Sequence, residues 1–389
     1  MTDYPTPGAY FQDVFPVPAP SFLTGVPAFL GRAVKGPHAP QRLTLWPQFE
    51  SIFGGHFDGF LFEAVRGFFE NDGLLCYVMR VEGTRSAVDD LARGLAALDD
   101  FDDVDLICAP DIMVGGTWPV GGQMRTVTRV QEMLLGHCRD RGHRFAILDG
   151  VPTVDSTVVM KQRNALAGEA GGYGAVYYPW LRVRGGDGHL RDVPPCGHLA
   201  GIYSRNDRQV GVHKAPANEV VEGVLDLQAN LPGPRVGELY GTQIGAPYQG
   251  AVNCLRALPG RGIRVWGART LSTDPAWRDV NARRLVGTIS RWIERFMEGL
   301  VHEPNDVRLW VRIMRELTAY LDGLFQRGAL KGRTADEAFF VKCDDETNPS
   351  DVIDAGMVVT QIGVAPTVPA EFIIVRAIHG ANGVTVSAA

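Results

Sequence analysis

The sequence lacks the features of a disulfide-stapled, zinc-binding or membrane-spanning protein. Its six cysteines are scattered along 389 residues, and no two form a C-x-x-C pair. This usage argues against a disulfide framework or a zinc ribbon and is typical of core cysteines in a protein that folds in a reducing cytosol. No run approaches the roughly 18 apolar residues of a membrane span. The first residues include Asp3 and several prolines instead of a basic, apolar leader, so we expect neither secretion nor membrane insertion.

A strong charge of either sign is also missing. The formal net charge is −6 and the pI is about 5.9, so the chain as a whole has no electrostatic attraction to nucleic acid or to an anionic membrane. Hydrophobic residues make up 45% of the chain and charged residues 21%, which is ordinary for a globular protein. At this length we expect two or three hydrophobic cores and no binding of nucleic acid.

Motifs for catalysis or cofactor binding are scarce. There is no G-x-S-x-G elbow, and the glycines of residues 168–174 match neither G-x-G-x-x-G nor a Walker loop. His137, Cys138 and His143 do not have zinc spacing, and the arginines around them suit a helix C-terminus. We predict no metal and no cofactor. One enzymatic hypothesis stays open, because Asp149 follows a predicted parallel strand, where α/β hydrolase-like enzymes place a catalytic acid; a turn opener is the alternative reading of this residue.

Short apolar segments alternate with amphipathic ones in the first half of the chain. The predicted strands cover residues 27–33, 74–81, 104–109, 145–149 and 175–183. The predicted helices cover residues 58–70, 87–98, 123–139 and 156–167. This alternation predicts an α/β core with a largely parallel sheet. Residues 185–250 are rich in glycine, proline and polar residues, and we expect surface loops and short strands there.

The last third of the chain predicts a second unit, built on two long helices. Asp274 and Pro275 have the pattern of an N-cap followed by proline at the first helical position. A second helix is predicted from Pro304 to Gly328, and Thr334 with Glu337 has the spacing of a capping box. Three strand candidates follow, at residues 339–343, 357–364 and 372–375, and we expect one small sheet. The tryptophans in and before this unit are predicted to pack in the core: Trp266, Trp292 and Trp310.

Both ends of the sequence read as strands with no partner of their own. Residues 7–14 are extended and isolated by prolines, and residues 371–376 form a strong strand followed by a short β-prone piece at 384–386. Unpaired backbone groups of this kind invite strand addition from another chain. We therefore interpret the chain as a building block of an assembly. The predicted divisions are an arm (1–20), a core (21–250, with surface loops 185–250), a C-terminal domain (251–376) and a tail (377–389).

Seven short sequence segments, spread in order along nearly the whole chain, resemble segments of the sheath proteins of contractile phage tails and related contractile injection systems. They lie at residues 24–31, 194–203, 214–219, 262–271, 303–306, 338–344 and 369–372. The Trp-Gly-Ala-Arg-Thr phrase at 266–270 and the Phe-Phe-Val-Lys-Cys-Asp phrase at 339–344 are the most specific. The sequence departs from the family at His213, where such proteins often carry tryptophan.

The resemblance implies a helical tube of stacked subunit rings around an inner tube, assembled in the cytoplasm of the producing cell. It implies contraction without nucleotide hydrolysis, and an inner tube, baseplate and terminal cap as partners. In that family, strands from neighbouring subunits complete a small sheet in the C-terminal domain. The corresponding intersubunit residues here are Tyr10, Phe11 and Val14 in the N-terminal arm, and Phe340, Val341, Phe372, Ile374, Val384 and Val386 in the sheet and C-terminal arm.

A basic stretch has two readings. It comprises Arg261, Arg264, Arg269, Arg283 and Arg284. These side chains are either solvated or paired with nearby acids, or they help the subunit to face an acidic inner tube. For the second reading, the predicted inner-tube contacts are Arg283, Arg284 and Arg308.

Overall fold

The computed structural model describes residues 23–81, 87–114, 121–241, 250–367, 373–380 and 383–388. The predicted N-terminal arm residues Tyr10, Phe11 and Val14, and Phe372 near the other end, lie outside these ranges. Three sheets and eleven α-helices make up the described part of the chain.

The strands follow the chain in this order: β1 (Pro27–Gly31), β2 (Gln41–Leu43), β3 (Cys76–Arg80), β4 (Leu106–Cys108), β5 (Phe145–Asp149), β6 (Gly174–Tyr178), β7 (Leu181–Arg184), β8 (Leu190–Val193), β9 (Asp226–Leu227), β10 (Val252–Leu258), β11 (Gly262–Trp266), β12 (Phe339–Lys342), β13 (Val358–Val364), β14 (Ile373–Gly380) and β15 (Gly383–Ala388).

The helices are α1 (Trp46–Phe53), α2 (Leu61–Glu70), α3 (Ala87–Ala96), α4 (Gly121–Arg141), α5 (Ser156–Leu166), α6 (Cys196–Gln209), α7 (Gly233–Leu239), α8 (Val280–Glu298), α9 (Val307–Gln326), α10 (Ala335–Ala338) and α11 (Ser350–Asp354).

An eight-stranded sheet forms the centre of the first unit, in the order β11-β10-β6-β5-β4-β1-β3-β2. The six inner strands pair in parallel, and the edge strands β2 and β11 are antiparallel to their neighbours. The predicted α/β core with a largely parallel sheet is confirmed. Because β10 and β11 continue this sheet, the core extends past the predicted boundary at residue 250.

Helices cover both faces of this sheet, as parallel sheets require. Alternate residues of each strand point to opposite faces, so Ala28 and Leu30 of β1 pack with α3, α4 and α5, whereas Phe29 packs with α1, α2 and α6. All six cysteines are buried, as predicted for core residues. Burial raises the pKa of the Cys254 thiol to about 12.

The helix α6 is the main error of the sequence-based prediction, which expected loops and short strands at residues 185–250. Almost all of its side chains are buried, the polar ones included, so no exposed polar face marks it as an amphipathic helix. Gly197 and Gly201 let α6 lie directly on α2, because a Cβ at Gly197 would stand 2.2 Å from the Ala64 carbonyl oxygen. The remainder of the stretch does include loops and the short strands β8 and β9, which pair with β7.

The second unit combines α8, α9 and a four-stranded antiparallel sheet in the order β12-β13-β14-β15. The prediction that the three late strand candidates form one small sheet is confirmed. The helix predicted to start at Asp274 starts later: Asp274 caps a 3-10 turn at Pro275–Trp277, and α8 begins after Asp279. The helix α9 begins after Asp306, whose carboxylate accepts hydrogen bonds from the backbone N–H groups of Arg308 and Leu309.

The C-terminal strands have a partner within the chain, which corrects the expectation that this end has none. The strand β14 pairs with β13 over seven residues, from Val364 opposite Ile373 to Val358 opposite His379. The strand β15 then pairs with β14. The four-stranded sheet is thus filled by the chain's own C-terminal hairpin.

Candidate assembly surface and chain ends

The small sheet carries all five of the predicted intersubunit residues that the structure describes. Phe340 and Val341 lie on the edge strand β12; Phe340 is 40% exposed and Val341 is half-buried. Ile374 pairs opposite Gly363, and on the outer hairpin Val384 pairs with His379 and Val386 with Ala377. These residues therefore share one sheet, with β12 at one edge and β15 at the other.

The sheet is held by α8 and α9 through a shared apolar cluster. Ile362 and Val364 of β13 are fully buried in it together with residues of both helices. Trp292 of α8 stacks on Tyr320 of α9, with ring centroids 3.9 Å apart and planes 2° from parallel. Trp292 and Trp310 are buried, as predicted. Trp266 is 36% exposed on the edge strand β11, with the Arg256 guanidinium over its ring, so the prediction that it packs in the core is wrong.

Arg284 is buried within the chain, so it is not the surface cation that its predicted role requires. Its guanidinium is buried between two carboxylates and donates to Asp207 at 2.6 and 2.9 Å and to Asp105 at 2.9 Å. All three side chains are at most 6% exposed. Although burial opposes its charge, the two acids raise the pKa of Arg284, so the cation is kept. The triad joins α8 to the core through β4 and α6.

Sequence reasoning missed the two acids of this triad. One signal was present: Asp105 interrupts the apolar run 104–109 directly before β4, and an acid within a buried run needs a cationic partner. Its partner is 179 residues further along the chain, and such a separation cannot be inferred from one sequence.

Arg283 is also buried, which corrects its predicted role as a surface contact. It is 7% exposed, and its guanidinium lies 3.5 Å from the centre of the Tyr173 ring and 4.2 Å from that of Trp277. Burial lowers its pKa to about 10. It lines a cleft of about 560 Å³ between the core and α8. Of the three predicted inner-tube contacts, Arg308 alone is exposed.

The other arginines of the basic stretch bind their own chain. Arg264 donates to the Asn218 carbonyl, Arg269 donates to the Tyr240 carbonyl at 2.9 Å, and Arg261 donates to the Asn218 side chain at 3.2 Å. These hydrogen bonds go to carbonyl and amide oxygens, and Arg269 also lies opposite Asp279, whose pKa burial raises and the Arg269 charge lowers in part.

Asp149 does not have the surroundings of a catalytic acid. It is 3% exposed, and its carboxylate accepts a hydrogen bond of 2.8 Å from the backbone N–H of Cys196, the first residue of α6. Gln131 and Gln162 donate to its backbone carbonyl, so the whole residue is engaged. Burial raises the pKa of Asp149 to about 7. This geometry makes Asp149 a capping group for a buried helix and removes the basis of the hydrolase hypothesis.

The glycine-rich segment and the histidines are structural too. Residues Glu169–Tyr173 form a 3-10 turn, and a Cβ at Gly171 would stand 2.7 Å from the Leu271 carbonyl oxygen. His137 forms a 2.8 Å hydrogen bond with Arg144, and burial lowers its pKa to about 4, so it is neutral. The cations predicted at a helix end are confirmed in the last turn of α4. Within the described ranges, no three His, Cys, Asp or Glu side chains are grouped closely enough to hold a metal ion.

A search of the described helices for a candidate membrane span finds none that is long and apolar enough to cross a bilayer.

An α/β core joined to a C-terminal unit of two long helices and a small antiparallel sheet defines the class of this protein: a two-unit α/β structural subunit. Residues 89–271 match the model of the phage tail sheath protein central domain, and residues 272–378 match that of the phage tail sheath C-terminal domain. The chain therefore belongs to the phage tail sheath protein family.

Individual relatives agree with this assignment. The chain is 25% identical over 178 residues to the tail sheath protein of Salmonella phage ViI, a match covering 46% of this chain and 26% of that protein. The chain spans 26% and 55% of the lengths of the curated relatives it matches. Among solved structures, the anti-feeding prophage (AFP) helical sheath in the contracted state matches with a TM-score of 0.73 and 29% identity, over 95% of this chain and 98% of that one. The sheath complex of the extracellular contractile injection system PVC, also contracted, matches with a TM-score of 0.72 and 28% identity, over 96% and 97%.

Proposed function

We propose that this chain polymerises into a helical contractile tube around an inner tube and drives that tube through a target envelope. The observation that carries the proposal is the likeness to the contracted AFP sheath over nearly the full length of both chains. The buried position of Asp149 supports a structural role over an enzymatic one. We further propose that nucleotide hydrolysis is not needed, because contraction releases free energy stored in a metastable lattice of subunits.

The N-terminal arm is proposed to join one subunit to the next. In this scheme Tyr10, Phe11 and Val14 form a strand that pairs with the edge strand β12 of a neighbour, beside its exposed Phe340. A donated strand with about four to six backbone hydrogen bonds, at roughly 0.5–1.5 kcal/mol net each, contributes several kcal/mol. This free energy is enough to keep a subunit attached to its neighbour while the folded cores of the subunits rotate during contraction.

The C-terminal strands are proposed to be exchangeable. In the isolated chain, the hairpin of β14 and β15 occupies the sheet's far side. In the tube, the equivalent residues of a neighbour, including Phe372, Ile374, Val384 and Val386, would take that place with the same register. Exchange between identical strands keeps every backbone hydrogen bond, so it links subunits at little cost in hydrogen-bonding free energy.

The remaining partners are proposed from the family. They are the inner tube, for which we propose the exposed Arg308 as a contact, a baseplate, and a terminal cap. Assembly is proposed to take place in the cytoplasm of the producing cell, as part of a phage tail or of a tail-like particle that is released.

A truncation lacking residues 1–22 tests the proposal. We expect a soluble, folded body with an unchanged melting temperature that forms no tubes in negative-stain electron microscopy, since the linking strand is gone. The matched control replaces residues 2–22 by a glycine-serine segment of equal length, which keeps the bulk but removes the β-prone side chains. It should fail in the same way. Normal tubes from either variant would refute arm exchange.

A further inference from the structure

The first described residues are tied to the helix α8. At Leu23, the backbone carbonyl accepts a 3.0 Å hydrogen bond from Nη2 of Arg291, and Nη1 of the same arginine donates at 3.2 Å to the carbonyl of Asp102. Arg291 is 5% exposed and belongs to the buried side of α8. One side chain thus fixes the root of the N-terminal arm against the loop before β4.

Two residues further on, the chain is held by a carboxylate. Asp105 accepts from the backbone N–H of Gly25 at 3.0 Å and from that of Val26 at 2.6 Å. The same carboxylate accepts from Arg284 of α8 at 2.9 Å. Hydrogen bonds between a carboxylate and a cation or a backbone N–H are among the strong ones in proteins, and these are buried. The arm root is therefore connected to α8 a second time, through Asp105.

Gly25 makes this arrangement specific. Its φ of +73° is in the left-handed region that favours glycine, and a Cβ would stand 2.5 Å from the Cα of Ser204 in α6. The backbone can present two successive N–H groups to Asp105 only because nothing projects from this position. This turn fixes the backbone at Gly25 and Val26 against Asp105.

The two arginines are seven residues apart, which is two helical turns, so they lie along one side of α8. The opposite side of α8 packs in the apolar cluster of the second unit through Leu285 and Ile289. This helix also contacts β14 and β15 of the small sheet. A single rigid helix therefore connects the root of the N-terminal arm to the sheet at the other end of the chain.

We propose that α8, through Arg284 and Arg291, is the mechanical link that carries tension from the N-terminal arm to the small sheet. The inference rests on the proposed function, since tension reaches Leu23 only if a neighbour holds the arm. Without the two arginines, tension on the arm would reach Asp105 and β1 but not α8. With them, Leu23 is held directly by Arg291, and Asp105, which holds Gly25 and Val26, is tied to α8 by Arg284.

The first test measures the link in the free subunit, by amide hydrogen exchange of peptides covering residues 23–31. Arg291→Gln should speed exchange there at least fivefold and leave the peptides of β5 and β6 unchanged. Glu298→Gln, on an exposed position of the same helix, is the control and should leave exchange at residues 23–31 unchanged. Arg284→Lys, which keeps the charge but loses the forked geometry, gives a second measurement if Arg291→Gln does not fold. Unchanged exchange in both arginine variants would overturn the link.

The second test measures load in the assembled tube. Arg291→Gln tubes should form but break on contraction, giving contracted sheaths less than half the wild-type length in electron micrographs, while the subunit stays folded at the temperature of the experiment. Arg291→Lys, which still donates to the Leu23 carbonyl, should restore much of the length. Faster exchange with sheaths of full length would overturn the load-bearing role. If the wild-type chain forms no tubes, the proposed function fails instead, and the exchange measurement still decides whether the link exists.

Discussion

Asp149 lies at the carboxyl end of β5, where many α/β enzymes place an acid, yet its carboxyl group is used to start a helix. The sequence predicted the strand and its end correctly, but not the group that meets the carboxylate, because Cys196 is 47 residues away. The same limit applies to Arg284, whose partners Asp105 and Asp207 come from other elements. Single ionisable residues can be noticed in a sequence, but their role depends on partners that only the fold brings near.

A pH-dependent stability is expected from Asp149. Burial raises its pKa to about 7 in the folded protein, so between pH 4 and 7 the folded state holds a proton that the unfolded state releases. The stabilisation by the protonated form is therefore present at low pH and lost as the pH rises through 7. Asp149→Asn stays neutral and can still accept the hydrogen bond from the Cys196 N–H. Between pH 4 and 8, the free energy of unfolding of the wild type should therefore fall by about 1–3 kcal/mol relative to this variant.

Urea unfolding of both proteins at several pH values measures this difference. Other carboxyl groups that titrate in the same range, such as Asp111, whose pKa burial raises to about 6, are present in both proteins and cancel. A stability difference that does not vary with pH would mean that the Asp149 carboxyl is ionised in the folded state.

Helices and strands whose apolar residues recur at a regular spacing were predictable from the sequence, and elements without such a spacing were not. The amphipathic helices α2, α3, α8 and α9 and the buried strands of the core follow from apolar spacing alone. The helix α6 was missed because it is buried all round, although Gly197 and Gly201, four residues apart, are a signal of close helix packing. The predicted capping box is correct in its position, because α10 begins after Thr334. Its hydrogen bonding differs, because the Glu337 carboxylate accepts from the backbone N–H of Arg333 instead of that of Thr334.

The pairing of α8 with α9 should depend strongly on Trp292. Its ring is buried and stacked on Tyr320, so Trp292→Ala leaves a large cavity between the helices and should lower the free energy of unfolding by about 3–5 kcal/mol. Trp266→Ala is the matched control, because that ring is 36% exposed and should cost under about 1 kcal/mol. Chemical denaturation of both variants measures the contrast. Equal losses would mean that the stack contributes little to the second unit.

At the scale of the whole molecule, the sequence predicted two units and their order, and the structure moves the boundary between them. The hairpin of β10 and β11 belongs to the core sheet, because β10 continues the parallel pairing from β6. The C-terminal strands pair inside the chain, whereas the sequence suggested that they had no partner. Pairing within or between chains uses the same strands and the same register, so a single sequence does not distinguish the two.

Contraction is expected to be independent of nucleotide. Particles purified with their inner tube and treated with a nucleotide-degrading enzyme should shorten on mild urea treatment as fully as untreated ones, because the free energy lies in subunit contacts. Cryo-electron microscopy of sheath length and diameter measures this. Shortening that requires added nucleotide would contradict the lattice model and reopen the search for a phosphate site.

The burial of every cysteine has a consequence for durability. Thiols enclosed in this way are poor nucleophiles at neutral pH, so peroxide or a disulfide-containing medium finds no exposed thiol to attack on a folded subunit. The proposed particle, once outside the cell, would therefore meet oxidants without its subunits being cross-linked through these cysteines. Rearrangement of the proposed tube would then stay free of covalent bonds between subunits.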